Sequence, residues 1–163
     1  TGNNVTRLLE AHKARFSAFE IPAEKLGATE TADYLSVNVR IVYKSIILTS
    51  TKGKPVLCLI PGDRVVDLKK VATLVGEKKV AVTSLQEAEK LTGLQVGGIS
   101  PLALIHKGFK FLIDSSIKDH QDIHISGGQR GLNLRINTTD LIEILHPQIA
   151  DISKPALTES DPD

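Results

Sequence analysis

The chain has 163 residues, 41% of them hydrophobic and 24% charged, a net charge of +1 and a single cysteine. That length suits one domain able to bury a core without disulfides or metals, and no apolar run approaches the roughly 20 residues of a membrane span. Residues 151–163 carry a net charge of −3 and leave +4 on residues 1–150, a balance too mild for a nonspecific nucleic-acid binder but compatible with a local basic patch.

In chain order, residues 4–15 place Val5, Leu8, Leu9 and His12 on one helical face, with Asn3 or Asn4 as N-cap. FSAFEI (16–21) alternates like a strand and stops at Pro22, and Thr29 or Thr31 opens a short helix through Tyr34 and Leu35. VYKSIILTS and PVLCLIPG, joined by TKGK, form a hairpin. VVDLKKVATLVG is an amphipathic helix ended by Gly76; KVAVT is a strand; SLQEAEKLTG is a helix capped by Ser84 and closed by Gly93. FLID, DIHIS and LNLRI are further strands, and TDLIEILH is a helix stopped by Pro147. The expected fold is a mixed α/β domain over 1–150, its strands arranged in hairpins and not in a regular parallel sheet. An acidic, flexible tail should follow over 151–163.

Lys44 sits mid-strand in IVYKSIILTS, on the face of Val42, Ile46 and Leu48. It either snorkels from an edge with its ammonium in water or lines a pocket as a functional group. VGGISP (96–101) and SGGQRG (126–131) each pair adjacent glycines with a small hydroxyl residue. Such pairs make tight turns, and they also let a ligand approach main-chain N–H groups. Arg130 in the second loop can hold a phosphate or simply be solvated. Neither loop matches a phosphate-loop or dinucleotide fingerprint, so no cofactor is implied.

The five histidines show no ligand spacing, and no metal site is expected. Cys58, between Leu57 and Leu59, reads as a small buried hydrophobe and not as a nucleophile. No signal-peptide pattern opens the sequence, and with no second cysteine for a disulfide the expected compartment is the reducing cytoplasm.

Taken together, VYKSIIL, VGGISPLAL and SGGQRGLNL resemble the YbaK family of aminoacyl-tRNA deacylases, which are related to the editing domain of bacterial prolyl-tRNA synthetases. The resemblance runs from the first helix through TDLIEIL. It implies a barrel-like, mostly antiparallel sheet with helices outside, and hydrolysis of the ester on mischarged tRNA(Pro), with cysteine as the amino acid and prolyl-tRNA synthetase as a working neighbour. By the same resemblance, Lys44 is the essential strand lysine, anchoring the terminal adenosine and phosphate or orienting the ester. Gly97 to Pro101 is the G-x-x-x-P loop, giving main-chain N–H groups to the carbonyl, with Gly98, Ile99 and Ser100 shaping the pocket. Ser126, Gly127 and Gly128 form the other wall.

Family members often carry tyrosine at the position of Phe19 and aspartate at that of Asn133, so a hydroxyl and a carboxylate are absent here. That departure leaves two alternatives open: a deacylase for Ala-tRNA(Pro) or another small aminoacyl-tRNA, and a module that binds a nucleotide or tRNA end without hydrolysing it. Lys52, Lys54, Lys69, Lys70, Lys78 and Lys79 are candidates for acceptor-stem contacts, or else solvated surface lysines.

Overall fold

A computed structural model describes residues 2–157. Local signals set most elements. α1 (Asn4–Ala11) starts at Asn3, whose side chain accepts from the Thr6 N–H while the Thr6 hydroxyl bonds back. β1 (Phe16–Glu20) and α2 (Ala28–Leu35) follow; Glu30 of α2 accepts from the Gly27 N–H. β2 (Tyr43–Thr49) and β3 (Val56–Pro61) form the expected hairpin, pairing Lys44 with Ile60 and Leu48 with Val56. β4 (Arg64–Val66) precedes α3 (Leu68–Val75), which Asp67 caps and Gly76 ends in a left-handed conformation. β5 (Ala81–Val82) leads to α4 (Leu85–Thr92), capped by Ser84. β6 (Lys110–Asp114), β7 (Asp122–Ser126), β8 (Leu132–Asn137), α5 (Thr138–Leu145), β9 (Gln148–Ala150) and β10 (Ser153–Pro155) complete the described chain.

The strands form a five-stranded sheet ordered β5-β2-β3-β6-β9, a three-stranded sheet β1-β8-β7 and a β10-β4 pair. The larger sheet is mixed, because β3–β6 and β6–β9 pair in parallel. It lies between two apolar clusters. One holds Tyr43, Ile47, Leu57 and Leu59; the other holds Leu48, Val56, Cys58 and Ile60, the face that Lys44 shares. Cys58 is fully buried, and burial pushes its thiol up to about 12, so it packs as an apolar side chain. The small sheet buries Ile123, Ile125, Leu134 and Ile136 on one face, and a single parallel bridge, Val42 to His124, links it to the chain entering β2.

Two expectations change. Among the described residues the strands form three separate sheets and no closed barrel. The acidic tail is anchored over its first residues: Ile152 is fully buried, Ser153–Pro155 pairs with β4, and the rest, 158–163, lies outside the described residues. The anchor is Asp114, which accepts from the Ile152 N–H at 3.2 Å and the Ser153 hydroxyl at 2.9 Å. Burial alone would raise the Asp114 carboxyl, but hydrogen bonds from Ser116, Ser153 and Ile152 outweigh it and hold the group below its ordinary value. Among the described residues no helix is long and apolar enough to cross a membrane.

Candidate active site

A cavity of about 540 Å³ opens where β2, the first turn of α2, the 96–99 segment and the small sheet meet. Lys44, Gly97, Ile99, Ser126 and Asn133 all line it, although they lie far apart in the chain. Lys44 reaches it because burial along β2 is interrupted here: Tyr43, Ile47 and Leu48 are buried, whereas Lys44, Ser45 and Ile46 between them are only partly covered. The Lys44 ammonium donates to the Gly62 carbonyl at 3.3 Å, in the turn between β3 and β4. That contact fixes the lysine along the wall, so the apolar face it shares continues as the side of a polar cleft.

The two glycine-rich loops touch. A Cβ on Gly98 would stand 2.8 Å from Gln129 Cα and 2.9 Å from the Arg130 nitrogen, so only glycine permits this backbone contact. Arg130 straps the loops from the side, its Nε donating to the Val96 carbonyl at 2.7 Å. The guanidinium thus ties 126–131 to 96–101, and Arg130 is not among the cavity-lining residues. The second loop is gripped from behind by Asn3, whose amide donates to the Gly127 carbonyl at 2.9 Å.

Hydrogen bonding divides the first loop. The Gly98 N–H is committed to the Gln95 carbonyl at 2.8 Å, and Ser100, fully buried, turns its hydroxyl to the Leu102 N–H. Pro101 has no N–H and opens a buried 3-10 turn. Gly97 and Ile99 line the cavity, and their N–H groups make no hydrogen bond among the described residues. Gly98, Ser100, Pro101, Gly127 and Gly128 therefore support the wall from behind. Phe19 likewise stands outside the lining, 37% exposed, its ring 5.8 Å from that of His124.

The sequence pattern did not point to Tyr43, Leu85 or the α2 entry, Glu24 to Ala28 with Glu30 and Thr31, all of which line the cavity. Leu85 and the α2 entry belong to no motif and arrive there through topology, whereas Tyr43 lies inside VYKSIIL beside Lys44. His124 was also missed, although the alternation of DIHIS puts it on the same face as Ser126. Among the described residues no group of three or more His, Cys, Asp or Glu side chains is placed to hold a metal ion.

A cleft lined by two lysines, Lys25 and Lys44, by polar side chains, and by Gly97 and Ile99, whose N–H groups have no hydrogen-bond partner among the described residues, but with no activated nucleophile, is the equipment of a hydrolase that positions its substrate. Comparison with known proteins agrees: residues 23–144 match the aminoacyl-tRNA editing domain, and the chain belongs to that family, of the YbaK type, as an aminoacyl-tRNA deacylase. It is 29% identical over 152 residues to an Enterococcus faecalis protein named "Putative Cys-tRNA(Pro)/Cys-tRNA(Cys) deacylase EbsC", spanning 92% of each. It is 31% identical over 107 residues to the proline–tRNA ligase of Thermodesulfovibrio yellowstonii, covering 66% of this chain but only 18% of that enzyme. A crystal structure provisionally described as a trans-editing enzyme for prolyl-tRNA synthetase shares the fold, with a TM-score of 0.77, 24% identity, and coverage of 94% of this chain and 99% of the other.

Proposed function

We propose that the protein is a trans-editing hydrolase that cleaves the ester of Cys-tRNA(Pro) and releases free tRNA, acting in the cytoplasm beside prolyl-tRNA synthetase. The supporting observation is the cavity that gathers Lys44, the Gly97 and Ile99 N–H groups, Ser126 and Asn133 in a chain of the editing family. The E. faecalis relative supports the choice of cysteine and the ligase relative the choice of tRNA.

In this reading Lys44 holds the negatively charged tRNA end. Gly97 and Ile99 donate to the carbonyl oxygen as it gains charge, and donors of that kind are each worth about 3 to 4 kcal/mol in the transition state. A cysteinyl ester brings its own thiol. Its thiol gives up a proton as the sulfur attacks the carbonyl carbon of the same residue, the ester C–O bond breaks, the tRNA hydroxyl leaves with that proton, and water then opens the cyclic thioester to free cysteine. The protein's task is to fold the substrate into that geometry, which is worth up to roughly 7 to 11 kcal/mol.

A second reading, a deacylase for Ala-tRNA(Pro) or another small aminoacyl-tRNA, is favoured by Phe19 and Asn133, which remove a hydroxyl and a carboxylate from this region. One panel of charged tRNAs decides between them. The expected result is release of cysteine from Cys-tRNA(Pro) with Pro-tRNA(Pro) spared, and a loss of about 100-fold or more in Lys44→Ala with an unchanged melting curve. Preferential release of alanine would replace the first reading with the second. Tight tRNA binding without release of any amino acid would show a binding module.

A further inference from the structure

Strand alternation divides the small sheet into two faces. Leu134, Ile125 and Ile123 point into the core, while Phe19 of β1, Asn133 and Arg135 of β8, and Ser126 and His124 of β7 share the other face. The cavity opens against that second face at Ser126 and Asn133. Asn133 is only 3% exposed, and its Oδ1 lies 2.8 Å from His124 Nδ1. A carboxamide oxygen can only accept, so the hydrogen of this pair sits on Nδ1.

His124 is itself 4% exposed and packs against Phe19, the two rings tilted by 45°. Burial holds its pKa below the ordinary histidine value despite the bond to Asn133, with Arg135 and Asp122 opposing one another, so the ring is neutral at pH 7. The other end of the carboxamide, Nδ2, has no hydrogen-bond partner in the protein among the described residues. No buried side-chain nitrogen or oxygen is left orphaned there either, so this amide is open at the cavity wall.

We propose that His124 is a positioning residue that locks Asn133 with its amide N–H donors facing the cavity. This wall then reads a hydrogen-bond acceptor of the aminoacyl group, either the ester carbonyl oxygen or a sulfur or oxygen on the side chain, and disfavours its ammonium. The inference rests on the cavity being the aminoacyl site. An aspartate at this place would offer acceptors only and suit a cation; asparagine held by a neutral imidazole reverses the polarity.

The imidazole tautomer tests this without turnover. Two-bond proton–nitrogen correlation on nitrogen-labelled protein at pH 7, assigned with His124→Gln, should show His124 neutral and protonated at Nδ1. A neutral ring protonated at Nε2 would overturn the proposal, because Nδ1 would then accept from Asn133 and turn the carbonyl to the cavity. In deacylation, Asn133→Asp and His124→Leu should each lower kcat/KM by about tenfold or more, while His124→Gln, whose amide can also donate to Asn133, should stay close to the parent. Equal losses on cysteinyl, seryl and alanyl tRNA would assign the acceptor to the ester carbonyl. Losses confined to the first two would assign it to the side chain. Unchanged rates in Asn133→Asp would overturn the inference, whereas a parent protein inactive on every charged tRNA would defeat the proposed function and leave the tautomer result standing.

Discussion

The loops VGGISP and SGGQRG look interchangeable in sequence, and the structure uses them differently. The first lines the cavity with Val96, Gly97 and Ile99; the second sends only Ser126 and Gly131 to the lining and packs Gly127 against Leu132 and Gly128 against α1. In the first loop Gly97, in the left-handed region at φ 96°, and Ile99 keep N–H groups with no hydrogen-bond partner among the described residues. In the second, Gly127 donates to the Leu132 carbonyl and accepts from Asn3, so its polar groups are satisfied internally. Paired glycines therefore mark close backbone approach, and the partner of that approach decides between site and scaffold.

The contact between the loops is the sharpest place to break this contrast. Gly98→Ala would push a Cβ to within 3 Å of the backbone at Gln129 and Arg130, which cannot swing aside as a side chain can. A stability loss of about 1 to 3 kcal/mol is expected from overpacking. The deacylation loss should be larger, on the order of 100-fold, because the first loop must shift relative to Lys44. Equal and small effects on both measurements would show that the loops do not position one another.

Gly128→Ala should give the opposite pattern. Gly128 has φ 94°, an added Cβ would meet Val5 Cγ2 at 2.7 Å, and the residue does not line the cavity. Left-handed strain of about 1 to 2 kcal/mol plus the clash should lower the melting temperature, while kcat/KM at a temperature well below melting falls less than in Gly98→Ala. A larger catalytic than structural effect would move the second loop from scaffold to site.

Asn3→Ala removes the N-cap of α1 and the tether to Gly127 together. About 1 to 2 kcal/mol of stability should be lost in chemical denaturation, with the substrate preference unchanged.

The contrast also explains what could be read from the sequence. Helices with a cap at each end, Asp67 with Gly76 and Ser84 with Gly93, and the β2–β3 hairpin are local events, and their residues announce them. β4, β9 and β10 are three residues each and exist through remote partners: β4 pairs with a strand almost ninety residues later, so no periodicity can form within them. The parallel β3–β6 pairing is equally silent in the chain. In the site, Lys44, Ile99 and Ser126 were legible because they belong to motifs. Glu30 and Leu85 were not, because they enter the cavity by the packing of their elements; Tyr43 sits in the motif of Lys44, but strand alternation puts it on the opposite face. His124 lay between: its spacing from Ser126 was visible, but its bond to Asn133 depends on the β7–β8 register.

Arg130 carries the smallest expected effect and the cleanest choice between two roles. The sequence allows it to hold a phosphate, whereas the structure joins its Nε to the Val96 carbonyl. Arg130→Lys keeps the positive charge but replaces the fork with a single ammonium on a different stem, so a phosphate contact would largely survive and the strap would not. If the strap dominates, stability falls by about 1 kcal/mol, a shift of about 2 to 4 °C in melting temperature. KM for charged tRNA should then stay within about twofold of the parent, since the cation is retained and the cavity lining is untouched. A severalfold rise in KM with no change in melting would assign the arginine to the tRNA instead and bring the second loop into contact with substrate.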